Sequence, residues 1–234
     1  MALAAANSNF AVGGCTAGAG EDTIVFSGAA VSGTITLSQV TMNEAPVTYG
    51  TSPPNWILAI SSSVTITGPG SGALTISGGG FSPGSVGRRS LLITDGAAGT
   101  DSPVSISGLR FKEGRSVPTP SASNPAVAVG SSGGCMFSRE SLILTDVIFE
   151  NCEAAGYGDA NVNTGAVGGA LGVGAALATD ARPNVTLNNV KFLGNRTVHG
   201  SANATAQSAA GAAALGNTTS LFVGTVTISN SQFT

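Results

Sequence analysis

The sequence predicts an all-β chain folded as a right-handed parallel β-helix, a solenoid with a short N-terminal cap helix and an uncapped C-terminal end. Three observations predict it. Charged residues make up 9% of the chain, against about 25% in an average soluble domain. The apolar 42% is mainly Ala, Val, Ile and Leu, with aromatics at 5%, so β-branched side chains dominate and surface helices have few of the charges they need. Lastly, one phrase of alternating large apolar and small polar residues recurs along the chain, and a period of two marks a strand with one buried face.

The elements follow in order. Leu3 to Asn7 reads as the last turn of a short helix, suited to covering the open end of a solenoid core. Asp22-Thr23-Ile24-Val25-Phe26 and Gly33-Thr34-Ile35-Thr36-Leu37 read as the first strands. The phrase then appears at Val64 to Gly68, Leu74 to Gly78, Val104 to Phe111, Leu142 to Phe149, Val185 to Phe192 and Val226 to Phe233. Its last four copies end on Phe111, Phe149, Phe192 and Phe233, separated by 38, 43 and 41 residues. Even separation with one strand pattern per unit means stacked repeats.

A weaker strand lies between the later copies, at Gly134 to Phe137, Gly169 to Val173 and Gly211 to Leu215. The expectation is therefore a unit of about forty residues made of two coils of about twenty. Glycine, 34 of 234 residues, supplies the turns that need left-handed backbone angles. Gly114 to Pro125 and Gly156 to Thr164 read as loops thrown out from the stack. Leucine-rich repeats lack their Asn ladder here, helical repeats lack a 3.6 period, and a propeller blade needs four strands where about two are visible. Residues 1–234 are read as one β-helix domain, a piece of a longer solenoid.

Composition also excludes functions. A net charge of −3 gives no basic footprint for nucleic acid. The densest basic cluster, Arg88-Arg89, reads as a solvent-exposed turn. The most apolar window, Gly165 to Ala178, is too short and too rich in Gly and Ala to span a bilayer. Met1 to Phe10 lacks the basic start and apolar core of an export signal, so no signal is present in this chain. Of the cysteines Cys15, Cys135 and Cys152, the latter two would meet if they sat on stacked turns, but small buried hydrophobes is the favoured reading of an odd count.

The first strands, followed by Val64-Thr65-Ile66-Thr67-Gly68-Pro69-Gly70, resemble the opening of bacterial surface proteins with pectate-lyase-like right-handed β-helices. Their usual Cys-Ser-Leu-Arg-Glu-Ala cap signature is absent, Leu3 to Asn7 standing in its place. The later half resembles polymorphic outer membrane protein repeats, which carry G-G-A followed by Ile, Leu or Val, and F-x-x-N. Gly168-Gly169-Ala170-Leu171 and Phe192-Leu193-Gly194-Asn195 match these motifs, while Gly133-Gly134-Cys135-Met136 and Phe149-Glu150-Asn151 are imperfect copies. The resemblance implies a secreted or cell-surface passenger, outer membrane-associated in a bacterium, that adheres to host or environmental glycans or surface proteins.

No residue is assigned a catalytic, cofactor-binding or metal-binding role. Enzymes on this fold need clustered carboxylates and a basic partner, whereas most of the acids here fall in expected turns. Asp146 with Glu150 and Glu153 is the nearest cluster and reads as a solvated edge. The lone histidine, His199, sits in an expected turn without a partner acid. Gly68-Pro69-Gly70 and Gly78-Gly79-Gly80 lack the Lys-Ser/Thr ending of a phosphate loop. The expected function is a non-enzymatic structural or adhesive β-helix. The alternatives are a carbohydrate-active β-helix (polysaccharide lyase or glycoside hydrolase, including a degenerate one) and, as a minor one, an ice-binding solenoid with outward columns at Thr34/Thr36, Thr65/Thr67, Thr186 and Thr225/Thr227. Four Asn-x-Ser/Thr sequons, at Asn184, Asn195, Asn203 and Asn217, complete the inventory.

Overall fold

Alternation of Val, Ile and Leu with Thr and Ser along the chain produces strands, of which the long ones Val104–Lys112 and Val185–Leu193 bury one side-chain set. The computed structural model describes residues 1–26, 31–37, 58–80, 89–97, 99–116, 132–155, 166–174, 181–198, 210–216 and 223–234. It opens with α1 (Ala2–Ser8), ended by Asn9 in the left-handed conformation at φ 56°. Leu3 and Ala6 of α1 pack on the core, and Asn7 donates to Ala59 O at 2.8 Å and accepts from Ser61 N at 2.9 Å.

The strands are β1 (Asp22–Val25), β2 (Gly33–Thr36), β3 (Ala59–Ile60), β4 (Val64–Thr67), β5 (Leu74–Ser77), β6 (Leu91–Ile93), β7 (Val104–Lys112), β8 (Arg115–Ser116), β9 (Met136–Ser138), β10 (Leu142–Glu150), β11 (Glu153–Ala155), β12 (Leu171–Val173), β13 (Val185–Leu193), β14 (Arg196–Val198), β15 (Ala213–Leu215), β16 (Val226–Ser229) and β17 (Gln232–Phe233). They form three parallel sheets. The first runs β1-β4-β7-β10-β13-β16, with β2 and β5 pairing alongside and β17 pairing β13; the second is β8-β11-β14; the third is β3-β6-β9-β12-β15.

Strand order follows chain order in every sheet, so each repeat lies on the one before it. The forty-residue unit is a single set of strands, not two coils of twenty. β7 pairs directly with β10, and β10 with β13, while the weaker strands β9, β12 and β15 pair among themselves in the third sheet. The phrases at 64–67 and 74–77 are likewise two halves of one repeat: β4 pairs with Val104–Ser107, and β5 with Arg110–Lys112, of the same strand β7.

What joins those halves is one left-handed residue. Gly108 (φ 64°), Asp146 (φ 51°) and Asn189 (φ 53°) sit in the middle of the nine-residue strands β7, β10 and β13, and Asn230 (φ 51°) stands between β16 and β17. Left-handed backbone costs least for Gly, Asn and Asp. The bend resets the alternation, so Ile106 and Leu109 both face the core three positions apart. At Gly108 the turn is also tight, since a Cβ would lie 2.8 Å from Gly68 O.

Register then fixes the core columns. Ile24, Ile66, Ile106, Leu144, Leu187 and Ile228 align. After the bend, Ile35, Ile76, Phe111, Phe149, Phe192 and Phe233 align. The four phenylalanines stack face to face, with centroid separations of 5.6, 5.2 and 4.8 Å, an arrangement worth about 0.5–1.5 kcal/mol per pair beyond area burial. The outward threonines fall in separate columns: Thr65, Thr186 and Thr227 share one, interrupted by Ser105 and Ile143, whereas Thr34 and Thr36 align with Thr75 and Ser77 beyond the bend. Among the described residues, no helix is long and apolar enough to cross a membrane.

Candidate functional site

Two sequence motifs meet where the first sheet turns into the second and the third begins. The Phe-x-x-Asn positions align as Gly114, Cys152 and Asn195, through Glu153 N to Gly114 O and Arg196 N to Cys152 O, both 2.9 Å. The third position of Gly-Gly-Ala aligns as Ser90, Cys135, Ala170 and Ala212, by the register of Leu91, Met136, Leu171 and Ala213. The glycines are required because two backbones pass in contact there. A Cβ on Gly134 would lie 2.3 Å from Glu153 O, and one on Gly169 would lie 2.5 Å from Arg196 O.

Asn195 closes this corner by accepting from Cys152 N at 2.8 Å and donating to Phe149 O at 3.0 Å. One repeat earlier the two motif positions are instead joined covalently: Cys135 and Cys152 form a disulfide, both fully buried. This corrects the reading of these cysteines as separate small hydrophobes. The repeat stacking brings their Cα atoms to 5.5 Å, within disulfide reach, although sequence spacing alone does not reveal it.

The charges gather on the outside of the same corner. Glu153 is 3% exposed and lies between Arg115 and Arg196, its register neighbours on β8 and β14. Arg115 Nε reaches Oε1 at 2.6 Å, and Arg196 Nε and Nη2 reach Oε2 at 2.7 and 2.6 Å. Glu150 takes Arg110 at 2.9 Å and Lys112 at 3.9 Å. Asp146 accepts from Ser71 N and Oγ at 3.2 and 2.9 Å and from Asn189 Nδ2 at 3.2 Å. The solvated-edge reading of Asp146, Glu150 and Glu153 is therefore corrected: each is held by its own donors, and Glu153 is itself buried beneath two more exposed arginines.

Beside them runs a groove of about 370 Å³ lined by Gly80, Glu113, Asn151, Gly194 and Arg196. Its floor is a stack of left-handed turn residues, with φ of 80°, 55°, 51° and 59° at Gly80, Glu113, Asn151 and Gly194. Both of its charged residues are paired, Arg196 with Glu153 and Glu113 with Lys112 Nζ at 3.3 Å.

A second carboxylate group lies where the third sheet returns to the first. Buried Glu140 accepts from Asp95 N and Ser102 N at 2.9 and 3.0 Å. Asp101 accepts from Ser141 N and Oγ at 2.7 and 2.6 Å, and Asp95 from Ala97 N, Thr100 Oγ1 and Ser102 Oγ. Burial is the largest influence on Glu140 and holds its carboxyl above the ordinary range, with the charges of Asp95 and Asp101 adding to it against the two backbone donors. Burial also pulls Asp95 upward, but the bonds from Thr100, Ala97 and Ser102 and its interaction with Glu140 outweigh it and leave Asp95 below its usual value. Among the described residues, no group of three or more His, Cys, Asp or Glu is placed to hold a metal ion.

Arg89 corrects another expectation. It is buried, not a solvated turn: its Nε and Nη2 donate to Gly133 O and Ser132 O at 2.9 and 2.7 Å, and its guanidinium lies 5.4 Å from the Phe137 ring centroid. That burial lowers its pKa to about 10. Arg88, His199, Glu44, Asp159, Asp180, the sequons at Asn203 and Asn217, all of Gly156 to Thr164 and the Gly114 to Pro125 loop beyond Ser116 lie outside the described residues. No protein-family model, curated protein or solved structure matches this chain.

Proposed function

We propose that the chain is a right-handed parallel β-helix acting outside the cytoplasm as a non-enzymatic structural and adhesive module, similar to the surface-displayed passengers its motifs resemble. Three parallel sheets whose strands stack in chain order support the architecture, and parallel strands joined by crossovers are right-handed in nearly all proteins. The buried Cys135–Cys152 bond supports export, since disulfides persist in oxidising compartments.

The observation that carries the non-enzymatic reading is the commitment of six of the described carboxylates. General acid–base work or Ca²⁺ ligation needs carboxylates open to substrate or ion. Asp95, Asp101, Asp146, Glu140, Glu150 and Glu153 each bond backbone, hydroxyl, amide or cationic groups of neighbouring segments. For the carbohydrate-binding alternative, the groove lined by Glu113 and Arg196 is the location to test. A glycan array run beside a turnover assay on acidic polysaccharides, with and without Ca²⁺, tests the reading. Glycan binding without turnover is expected; turnover that is lost in Glu113→Gln would replace adhesion with catalysis.

A further inference from the structure

Two sequons lie within the described residues, Asn184-Val185-Thr186 and Asn195-Arg196-Thr197, and the fold treats them oppositely. Asn184 stands exposed at the entry to β13, with Thr186 half-buried on the outward face of that strand. Its Oδ1 accepts from Thr225 N at 2.8 Å. Asn195 is half-buried against the preceding repeat, and both ends of its amide are engaged, Oδ1 with Cys152 N and Nδ2 with Phe149 O.

The chemistry of N-linked transfer separates the two. The side-chain Nδ2 attacks the anomeric carbon of an oligosaccharide carried on a lipid diphosphate. The carbon–oxygen bond to the diphosphate breaks, the nitrogen–carbon bond forms, the lipid diphosphate leaves, and one Nδ2 proton passes to a base of the transferase. Nothing is oxidised or reduced. The product keeps Oδ1 as an acceptor but carries a bulky, hydrated sugar on Nδ2. At Asn184 the bond to Thr225 survives and the sugar enters solvent. At Asn195 the substituted nitrogen is the one that holds Phe149 O, and the sugar must fit where two repeats close on one another.

We propose that Asn184 is an N-glycan acceptor, modified by a lipid-diphosphate-linked oligosaccharide, and that Asn195 is reserved for closing the repeat. The proposal rests on the export reading above. The full chain, secreted from a eukaryotic cell behind a cleavable signal, is digested and its peptides mapped by mass spectrometry before and after glycosidase treatment, with thiols titrated in the same sample. Expected are a glycan on Asn184, a bare Asn195, loss of one glycan's mass in Asn184→Gln, and no change in Asn184 occupancy in Asn195→Gln. A bare Asn184, or a glycan on Asn195 in the folded secreted chain, overturns the proposal. Free thiols at both Cys135 and Cys152 would overturn the export reading instead, while the Asn184 peptide still decides the site.

Discussion

Replacing Glu153 by Gln keeps the shape of the corner and removes its charge. In the native chain one carboxylate at 3% exposure holds Arg115 at 2.6 Å and Arg196 at 2.6–2.7 Å. A hydrogen bond to a charged group contributes about 1.5–3 kcal/mol. That range applies to the Arg115 side, where the guanidinium is largely covered. The Arg196 side chain is 60% exposed, so solvent screening reduces its share to about 0–1 kcal/mol. The amide of Gln also turns an N–H₂ toward one of the two donors, leaving that contact unsatisfied. The expected loss is about 2–4 kcal/mol, a downward shift of about 1 M or more in the urea midpoint at unchanged slope. Urea unfolding followed by far-ultraviolet circular dichroism, under non-reducing conditions, measures it. Arg115→Gln should cost more than Arg196→Gln, because only the first breaks a mostly buried pair. A Glu153→Gln change within about 0.5 kcal/mol of wild type, the range of an ordinary surface substitution, would refute the claim that this triad fastens the second sheet.

Three further outcomes follow from the same geometry. Phe149→Ala, fully buried between two rings, should cost about 3–5 kcal/mol, whereas Phe233→Ala, 48% exposed with one ring neighbour, should cost about 1–2 kcal/mol; equal losses in chemical denaturation would contradict the ladder. Ala210 holds the left-handed angle (φ 58°) that Gly133 and Gly168 hold in the two preceding repeats, so Ala210→Gly should raise the denaturation midpoint, relieving about 1–2 kcal/mol of backbone strain against about 0.5–1 kcal/mol of added chain entropy. The acid side of the stability profile should show two opposed slopes. Asp95, held below its ordinary 3.8, contributes stability above that pH that is lost as pH falls through its folded value. Glu140, held above its ordinary 4.5, favours the folded state most at acid pH and loses that contribution as pH rises through its folded value. Melting curves of Asp95→Asn should lack the first slope and those of Glu140→Gln the second.

The strands were legible because the alternation of Val, Ile and Leu with Thr and Ser is a local signal that no tertiary contact overrides, and the Phe spacing carried the stacking. The number of strand sets per repeat was not legible, since period-two patterns look alike whether a strand pairs with its nearest copy or with one forty residues away. The bend at Gly108, Asp146 and Asn189 reads in sequence as a Gly, an Asp and an Asn within strands; only its phase shift, two core positions three apart, betrays it. Arg89 and Glu153 were misread for one reason: composition assigns charges to the surface, while their burial depends on carbonyls of Ser132 and Gly133 and on Arg115 and Arg196, which are near only after stacking.

The corner where the first sheet turns into the second is closed in two chemically different ways. Asn195 with Phe149 O and Cys152 N closes one interval between repeats, and Cys135 with Cys152 closes the preceding one. A hydrogen-bonded amide and a disulfide share little chemistry, yet each occupies aligned positions and joins the second sheet to what precedes it. Closure of the repeat is the task that both supply. The same holds at the start of the long strands, where Asp101, Ser141 and Asn184 successively accept the backbone N–H of Ser141, Asn184 and Thr225. Three different side chains do one structural task, and at Asp101 it is the carboxylate that accepts. Polar residues that interchange in this way between repeats serve the stacking itself, each satisfying a backbone N–H of the next repeat.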